Sequence, residues 1–341
     1  LKNGEPYIQK IQTPVIVDVA TVSAQFRSGQ IYEATLPALE IAGAKRENPK
    51  LIMYAAKPPT TERVYFGYNE GSPFVDQRMR VAYHRLIDRD TYVKAAYNTD
   101  KFAQEGLPVE EFWEGSFEQA SWDGWLLDPK SKSDYGDVQQ NFVQDYAEAK
   151  KLVEAAGYTT PFEFDYVRSA PGPTSFAQPI YDRMAIMEAM IDESNVLKRK
   201  LKDLNWATEW SPQIRQSKGK FVGSSWGPDT TSFDPSFASV YVYNPQGGYY
   251  EGSDSTLEDF TNKIRREFDV EKRKQLVKDL QKYDAKMMFN QKLGVAGTFA
   301  LVWPIVRNVG VFQGGTNWID ITSGSGLHAW IDETKAPKGN A

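Results

Sequence analysis

The sequence predicts an α/β fold built in two lobes. The chain has 341 residues, which is enough for two domains or for one large domain with a sizeable core. Short apolar strand segments alternate with amphipathic helical segments along its length, and neither an internal repeat nor a low-complexity segment interrupts them. This mixture of α/β units with additional helices is typical of α/β and α+β architectures.

The first third of the chain contains most of the predicted strands. The predicted strands are residues 14–17, 31–36, 51–54 and 64–69. A helix over residues 20–27 stops at Ser28 and Gly29, which completes one α/β unit. Two more helices follow, and we expect Asp76 and Asp90 to cap their amino termini.

The middle of the chain is irregular at first and then regular again. Residues 106–142 lack periodicity and are rich in aromatic residues, which indicates a segment packed on a core or a functional loop. A helix capped by Asp145 then ends at Gly157, where a left-handed residue is expected. A strand over residues 162–167 precedes a loop at 169–173, and a helix with a methionine stripe at core spacing follows.

The most informative stretch is Lys220–Phe237, which reads KFVGSSWGPDTTSFDPSF. We expect a short strand at residues 221–223 and then an irregular loop that contains Trp226 and Asp229. Loops held by a scaffold frequently carry binding groups. Beyond it, two helices broken near Asp269 share an apolar stripe that includes Phe268, and residues 295–311 are strand-like.

Composition excludes several classes of function. The net charge of −5 argues against nucleic-acid binding, which usually requires a basic domain. The absence of cysteine excludes disulfides, thiolate catalysis and cysteine-based zinc sites, and the two histidines make a metal site unexpected. We therefore predict no cofactor and no metal. The chain starts at Leu1 with no leader pattern, so we expect that a targeting signal precedes it in a longer protein.

Two enzymatic hypotheses compete with a binding function at this stretch. Gly223 to Gly227 satisfies G-x-S-x-G, and Ser225, an acid such as Asp254 or Glu258, and His328 follow the chain order of α/β-hydrolases. The prolines that follow Ser225 argue against the helix that a nucleophile elbow requires. Asp229 and Asp234 are candidates for the carboxylate pair of a glycosidase, although Asp234 before Pro235 is also typical of a turn.

Several segments taken in order resemble the peptide-binding class, family 5, of the extracellular solute-binding proteins that serve ABC importers. The segments are Tyr7 to Leu36 with its Ser28-Gly29, Phe66-Gly-Tyr-Asn69, Pro73-Phe74, Asp76 to Ala82, Ile87-Asp88-Arg89, Asp145 to Tyr158, Trp226-Gly-Pro-Asp229, Asp234-Pro235 and Glu271-Lys-Arg273. Each segment is weak alone, but the ordered set covers most of the chain.

The resemblance implies a two-lobed fold of the periplasmic-binding-protein type (type II, peptide-binding class) and a non-enzymatic function. Members are secreted or lipid-anchored, close over a ligand and deliver it to a membrane permease, and we expect a monomer. In the oligopeptide- and dipeptide-binding members the W-x-x-D aspartate pairs with the α-amino group of the ligand, which corresponds to Asp229 here. Trp226, Gly227 and Phe233 are then predicted to line the same site.

The resemblance also predicts how the lobes divide and leaves the ligand open. Residues 1–65 would form part of a first lobe that is incomplete, 66–300 the second lobe, and 301–341 a return toward the first lobe and a tail. Arg168, in the loop before Pro171, is a candidate for the carboxylate end of the ligand. Because the chain is rich in aromatic residues, an oligosaccharide stays open as an alternative ligand.

Overall fold

The computed structural model describes residues 7–16, 18–34, 36–56, 62–117, 124–172, 175–176, 178–228, 235–247, 252, 254–289, 292–308 and 329–335. The chain divides into two compact units. Unit 1 comprises Leu1–Pro59, Tyr97–Glu110 and Ala296–Ala341, and unit 2 comprises Thr60–Ala96 and Glu111–Val295. The sequence did not predict that residues 97–110 belong to unit 1.

The helices and strands are numbered in chain order. The α-helices are α1 (Val19–Arg27), α2 (Ala38–Glu47), α3 (Gln77–His84), α4 (Arg89–Tyr97), α5 (Thr99–Gln104), α6 (Lys132–Tyr135), α7 (Tyr146–Ala155), α8 (Gln178–Glu193), α9 (Pro235–Tyr243), α10 (Ser255–Arg266) and α11 (Val270–Met287). The strands are β1 (Glu33–Ala34), β2 (Ile52–Ala56), β3 (Glu62–Phe66), β4 (Glu111–Trp113), β5 (Phe162–Ser169), β6 (Leu197–Leu204), β7 (Ser224–Pro228), β8 (Gly294–Ala296), β9 (Thr298–Val302), β10 (Val306–Arg307) and β11 (Trp330–Ile331). Pro73–Val75 and Gly136–Phe142 form 3₁₀ helices, and Trp206–Arg215 forms a π-helix.

Unit 1 is organised around a small antiparallel sheet in the order β1-β9-β2, with a second antiparallel pair between β10 and β11. Its core joins the sheet to α1, and the Trp303 indole donates a hydrogen bond to the Phe26 carbonyl oxygen at 2.7 Å. The strand predicted at residues 14–17 is wrong over 14–16, which form no strand, and Val15 is 94% exposed. Among the described residues of the strand predicted at 31–36, only the two residues of β1 form a strand. Helix α2 was not predicted from the sequence.

Unit 2 contains a four-stranded mixed sheet in the order β3-β7-β5-β6, and β4 pairs with β8. Strand β3 runs antiparallel to β7, whereas β7 and β6 both run parallel to β5. Helix α8 connects β5 to β6, so these three elements form a βαβ unit. The helices α9, α10 and α11 pack on one another around Tyr243, Leu257, Ile264, Val277 and Leu280.

Local capping signals are largely confirmed. Asp76, Asp145 and Asp269 each accept a backbone N–H in the first turn of α3, α7 and α11, at 2.8 to 3.0 Å. The cap of α4 is Asp88, not Asp90, because Asp88 accepts the Thr91 N–H at 3.0 Å. The prediction that Phe268 belongs to an apolar stripe is also wrong, because α10 ends at Arg266 and the Phe268 side chain is 90% exposed.

The carboxyl end of α11 is held by side chains from elsewhere in unit 2. Arg80 Nε donates to the Met287 carbonyl oxygen at 3.0 Å, Asn141 Nδ2 to Ala285 at 3.1 Å, and Gln77 Nε2 to Lys286 at 2.5 Å. The Arg80 guanidinium is buried and also bonds two carbonyl oxygens of the preceding 3₁₀ helix. These donors satisfy carbonyl groups that a helix end leaves without partners, and the cation suits the negative end of the dipole.

His84 is buried where α3 ends and α4 approaches. Arg89 Nη2 lies 3.3 Å from His84 Nδ1, and since arginine only donates, Nδ1 accepts and Nε2 carries the proton. Burial lowers the pKa of His84 well below its usual range, and the positive charges of Arg89 and Arg80 lower it further. Burial also lowers the pKa of Arg89 to about 9. His84 is therefore neutral in the folded protein.

The described part of the chain contains neither a membrane-spanning helix nor a cluster of metal ligands. No described helix combines the length and the apolar composition that crossing a bilayer requires. Within the same residues, no group of three or more histidine, aspartate or glutamate side chains could hold a metal ion.

Candidate functional site

Strand β7 carries the chain into the predicted ligand segment. It lies inside the unit 2 sheet between β3 and β5, and Trp226, Gly227 and Pro228 pair with Val64, Arg63 and Glu62. The structure thus places Ser224 to Trp226 in a strand, where the sequence predicted a loop. Asp229 and Phe233 lie outside the described residues, and the chain is described again from the first residue of α9.

Trp226 is fully buried on one face of this sheet. Adjacent residues of a strand point to opposite faces, so Trp226 and Ser225 face different sides. Trp226 shares its face with Glu62, which bonds Arg183 of α8, so α8 covers this side. The indole N–H of Trp226 is buried and has no hydrogen-bond partner among the described residues. A role for Trp226 as a wall of the ligand site stays a prediction.

Arg168 lies in β5, and the prediction that it sits in a loop is wrong. Its guanidinium bonds both carboxylate oxygens of Asp203, at 2.8 and 3.1 Å, and Glu188 at 3.3 Å. The hydrogen bond to Asp203 is the main cause that raises the pKa of Arg168. The cation is thus already neutralised by two carboxylates. Binding of a ligand carboxylate by Arg168 stays a prediction.

The sheet register brings Arg168 and Trp226 together. The parallel pairing of β5 with β7 places Val167 opposite Ser225, so the next residues, Arg168 and Trp226, lie level with each other. Neighbouring strands are about 4.8 Å apart, and paired residues share a face. Both side chains therefore lie on the face that α8 covers, which agrees with the bond from Arg168 to Glu188 of α8.

Gly227 lies on the opposite face, beneath an aromatic cluster. A Cβ atom at this position would be 3.0 and 3.1 Å from two ring carbons of Trp210 and 3.4 Å from Phe176. The Trp210 indole belongs to the π-helix and meets the rings of Tyr65 and Phe176 edge to face, with centroids 5.9 and 5.2 Å apart. The cluster leaves little room for a side chain at position 227, because even a methyl group would need the indole to shift by a few tenths of an ångström.

Ser225 holds this cluster to the sheet and does not form a nucleophile elbow. Its hydroxyl accepts a hydrogen bond from Trp210 Nε1 at 2.9 Å and donates to the Val167 carbonyl oxygen at 2.6 Å. Strand β7 continues for three residues after Ser225, whereas an elbow requires a helix there. Asp254 caps α10 and accepts the Tyr283 hydroxyl at 2.7 Å, and His328 lies outside the described residues. Ser225 therefore does not have the strand–turn–helix geometry of a hydrolase nucleophile.

One ion pair next to the predicted segment was not predicted from the sequence. Arg183 Nε lies 3.1 Å from both carboxylate oxygens of Glu62, and a second nitrogen also bonds Glu62. Glu62 is opposite Pro228, the last residue of β7, and its side chain is 4% exposed. The strand predicted at residues 64–69 begins after Glu62, and no local pattern relates Glu62 to a helix more than 100 residues later.

The profile of one protein family matches most of the sequence. Residues 2–249 match the profile described as bacterial extracellular solute-binding proteins, family 5, middle. None of the curated proteins compared with the sequence matches it significantly.

Several solved structures of binding proteins share the fold of this chain at low sequence identity. AgaA of A. tumefaciens R10, in complex with agropinic acid, is 18% identical with a TM-score of 0.71, covering 97% of this chain and 62% of its own. The oligopeptide-binding protein AppA of Bacillus subtilis, with a nonapeptide, is 13% identical with a TM-score of 0.69, covering 93% and 59%. DppA of Helicobacter pylori, with the peptide STSA, is 16% identical with a TM-score of 0.66, covering 93% and 56%.

The fold is that of the periplasmic binding proteins, as the sequence predicted, and this chain spans 56 to 62% of the length of those three proteins. The profile match covers well over half of the chain and includes β7 with the W-x-x-D segment. The chain belongs to the bacterial extracellular solute-binding proteins, family 5.

Proposed function

We propose that the chain is part of the solute-binding component of an ABC import system, which binds an oligopeptide or dipeptide outside the cytoplasm and delivers it to the permease. The observation that carries the proposal is the family match over residues 2–249, which includes Trp226 to Asp229. Two of the similar structures, AppA and DppA, are complexes with peptides. We also propose that the protein works as a monomer and is secreted or lipid-anchored.

Asp229 is the proposed partner of the α-amino group of the peptide. A carboxylate removed from water needs a cationic partner, and a peptide amine provides one. Strand β7 supports this role because it is an internal strand, held on both sides, and ends directly before Asp229. Trp226, Gly227 and Phe233 are the proposed neighbours of this contact, and Arg168 is the proposed contact for the far end of the ligand.

Calorimetry on the full-length protein tests the proposal. The ligand panel consists of a nonapeptide, the tetrapeptide Ser-Thr-Ser-Ala and agropinic acid, which the three similar structures contain. We expect Asp229→Ala to weaken peptide binding by at least ~30-fold, since truncating one partner of a buried charge pair costs about 2–5 kcal/mol. Asp259→Ala is the matched control, because Asp259 forms an exposed ion pair with Lys263 on α10.

Three outcomes separate the alternatives. Unchanged peptide affinity in Asp229→Ala would refute the assignment of Asp229. Binding of agropinic acid alone would replace the peptide by another class of ligand. An oligosaccharide offers no cation, so binding that tolerates Asp229→Asn but is lost on removal of aromatic residues would indicate a sugar. Hydrolysis of generic esters that disappears in Ser225→Ala would overturn the non-enzymatic function.

A further inference from the structure

Two charged residues lie side by side at the carboxyl ends of β5 and β6. Arg168 and Asp203 are the next-to-last residues of these strands, and the parallel pairing places them opposite each other. Strand β7 also runs parallel to β5, so its last residue, Pro228, lies toward the same edge of the sheet. In open α/β sheets, ligands bind outside the carboxyl ends of the parallel strands. Arg168 and Asp203 therefore lie at the edge of the sheet where a ligand is expected.

The Arg168 guanidinium has two carboxylate partners that differ in their exposure to water. Asp203 accepts hydrogen bonds from Nε and Nη2 at 2.8 and 3.1 Å, and its side chain is 41% exposed. Glu188 of α8 accepts a bond from Nη1 at 3.3 Å, and its side chain is only 8% exposed. An ion pair that water reaches contributes little net free energy, whereas a buried carboxylate that loses its cation is costly. Asp203 is therefore the partner that another carboxylate can replace.

Glu188 holds the guanidinium in place and links it to a second arginine. The Glu188 carboxylate also lies 3.1 Å from Arg199 Nη1, and Arg199 pairs in turn with Asp192 of α8 at 2.6 Å. These side chains, with Arg168 and Asp203, form a network of alternating charge that contains three acids and two arginines. The network therefore carries a net negative charge, and a further carboxylate that approaches Arg168 is repelled as long as Asp203 is ionised.

We propose that Asp203 is a specificity-determining residue, which occupies Arg168 in place of a ligand carboxylate and weakens the binding of peptides that end in a free carboxylate. The inference rests on the proposed peptide-binding function, in which Arg168 contacts the far end of the ligand, and adds a residue that controls this contact. Such a peptide must displace Asp203 or bind beside it against its charge, and both routes reduce affinity. A peptide with an uncharged carboxyl end does not compete with Asp203.

The test compares one peptide with a free and with an amidated carboxyl end. The full-length protein is titrated by calorimetry with Ser-Thr-Ser-Ala and with its carboxyl-terminal amide. Asp203→Asn keeps the size of the side chain and removes its charge, so Arg168 becomes available to the ligand carboxylate. We expect this variant to bind the free acid about two- to fivefold more tightly, the range of an exposed ion pair, and to bind the amide with unchanged affinity.

Asp192→Asn is the matched control, because the Asp192 side chain is similarly exposed, at 48%, and belongs to the same network but pairs with Arg199. It should change neither affinity. An unchanged ratio of the two affinities in Asp203→Asn, equal tightening of both peptides, or the same gain in Asp192→Asn would each overturn the role of Asp203. If the unaltered protein binds neither peptide, the peptide-binding function falls and this inference with it. If Asp229→Ala still weakens peptide binding, only the role of Asp203 has failed.

Discussion

Replacing Gly227 by alanine tests the packing on which the candidate site stands. The new methyl group would lie 3.0 and 3.1 Å from Trp210 carbons, so the indole would have to move by a few tenths of an ångström. Trp210 is fully buried, bonded to Ser225 and enclosed by two rings, and therefore has little freedom to move. Overpacking of this kind costs about 1–3 kcal/mol, and the small overlap places the expected loss near ~1 kcal/mol.

Urea unfolding followed by circular dichroism measures this loss, and a second background identifies its cause. Phenylalanine at position 210 lacks the ring atoms that the new methyl group would meet. In a double-mutant cycle with Trp210→Phe, the cost of Gly227→Ala should therefore disappear, although Trp210→Phe is itself destabilising. An unchanged midpoint in Gly227→Ala, or the same cost in both backgrounds, would refute the argument that the indole excludes a side chain.

Three further predictions concern stability. As the pH falls through about 6.5, the unfolded chain takes up a proton at His84 but the folded protein does not. The free energy of unfolding is therefore highest above this pH and falls by up to ~1.4 kcal/mol per pH unit below it. His84→Gln should flatten this slope in urea titrations between pH 7.5 and 5.5. Arg80→Met leaves three carbonyl groups without their donor and should cost about 2–4 kcal/mol, measured by the same unfolding assay, whereas a loss below 1 kcal/mol would show that water replaces the guanidinium. Glu62→Gln removes the buried negative charge that bonds Arg183 and should cost roughly 3 kcal/mol; the double variant with Arg183→Met should recover part of this, and no recovery would argue against a coupled pair.

Signals confined to a few neighbouring residues were predictable from the sequence. Asp76, Asp145 and Asp269 were identifiable as caps or breaks because a side-chain oxygen two or three residues ahead of an N–H acts locally. Gly157 has φ +92°, the backbone conformation for which glycine is preferred after a helix. Asp90 was mistaken for a cap because Asp88 offers the same chemistry two residues earlier.

Strand β6 could not be predicted because its partner makes it a strand. Its sequence, LKRKLKDL, is mostly charged, and several of its side chains are exposed. It lies at the edge of the described sheet and, among the described strands, pairs only with β5, over eight residue pairs. Lysines suit such an edge, since they discourage pairing with another chain. Because these charged residues replace the alternating apolar residues of an ordinary strand, the sequence alone does not indicate a strand here.

The start of β7 was also predicted wrongly, because the role of Gly223 depends on a contact distant in sequence. Gly223 looked like the end of a strand over residues 221–223, but it immediately precedes one. A Cβ atom at this position would be 2.0 Å from the Asp165 carbonyl oxygen, and its φ of +90° favours glycine. The glycine therefore marks where the backbone closely approaches β5, a distant contact that no local pattern reveals.

The geometry of β7 also separates the two named residues of the W-x-x-D segment. Trp226 is inside the strand, buried beneath α8 and level with Arg168, so the sheet and α8 define its environment. Asp229 directly follows Pro228, the last described residue of β7, in the sequence. We therefore propose different roles for the two residues: Trp226, which is fixed in the sheet, positions the strand, and Asp229, which follows it, binds the ligand. On that division, the aspartate is the residue whose substitution separates ligand binding from folding.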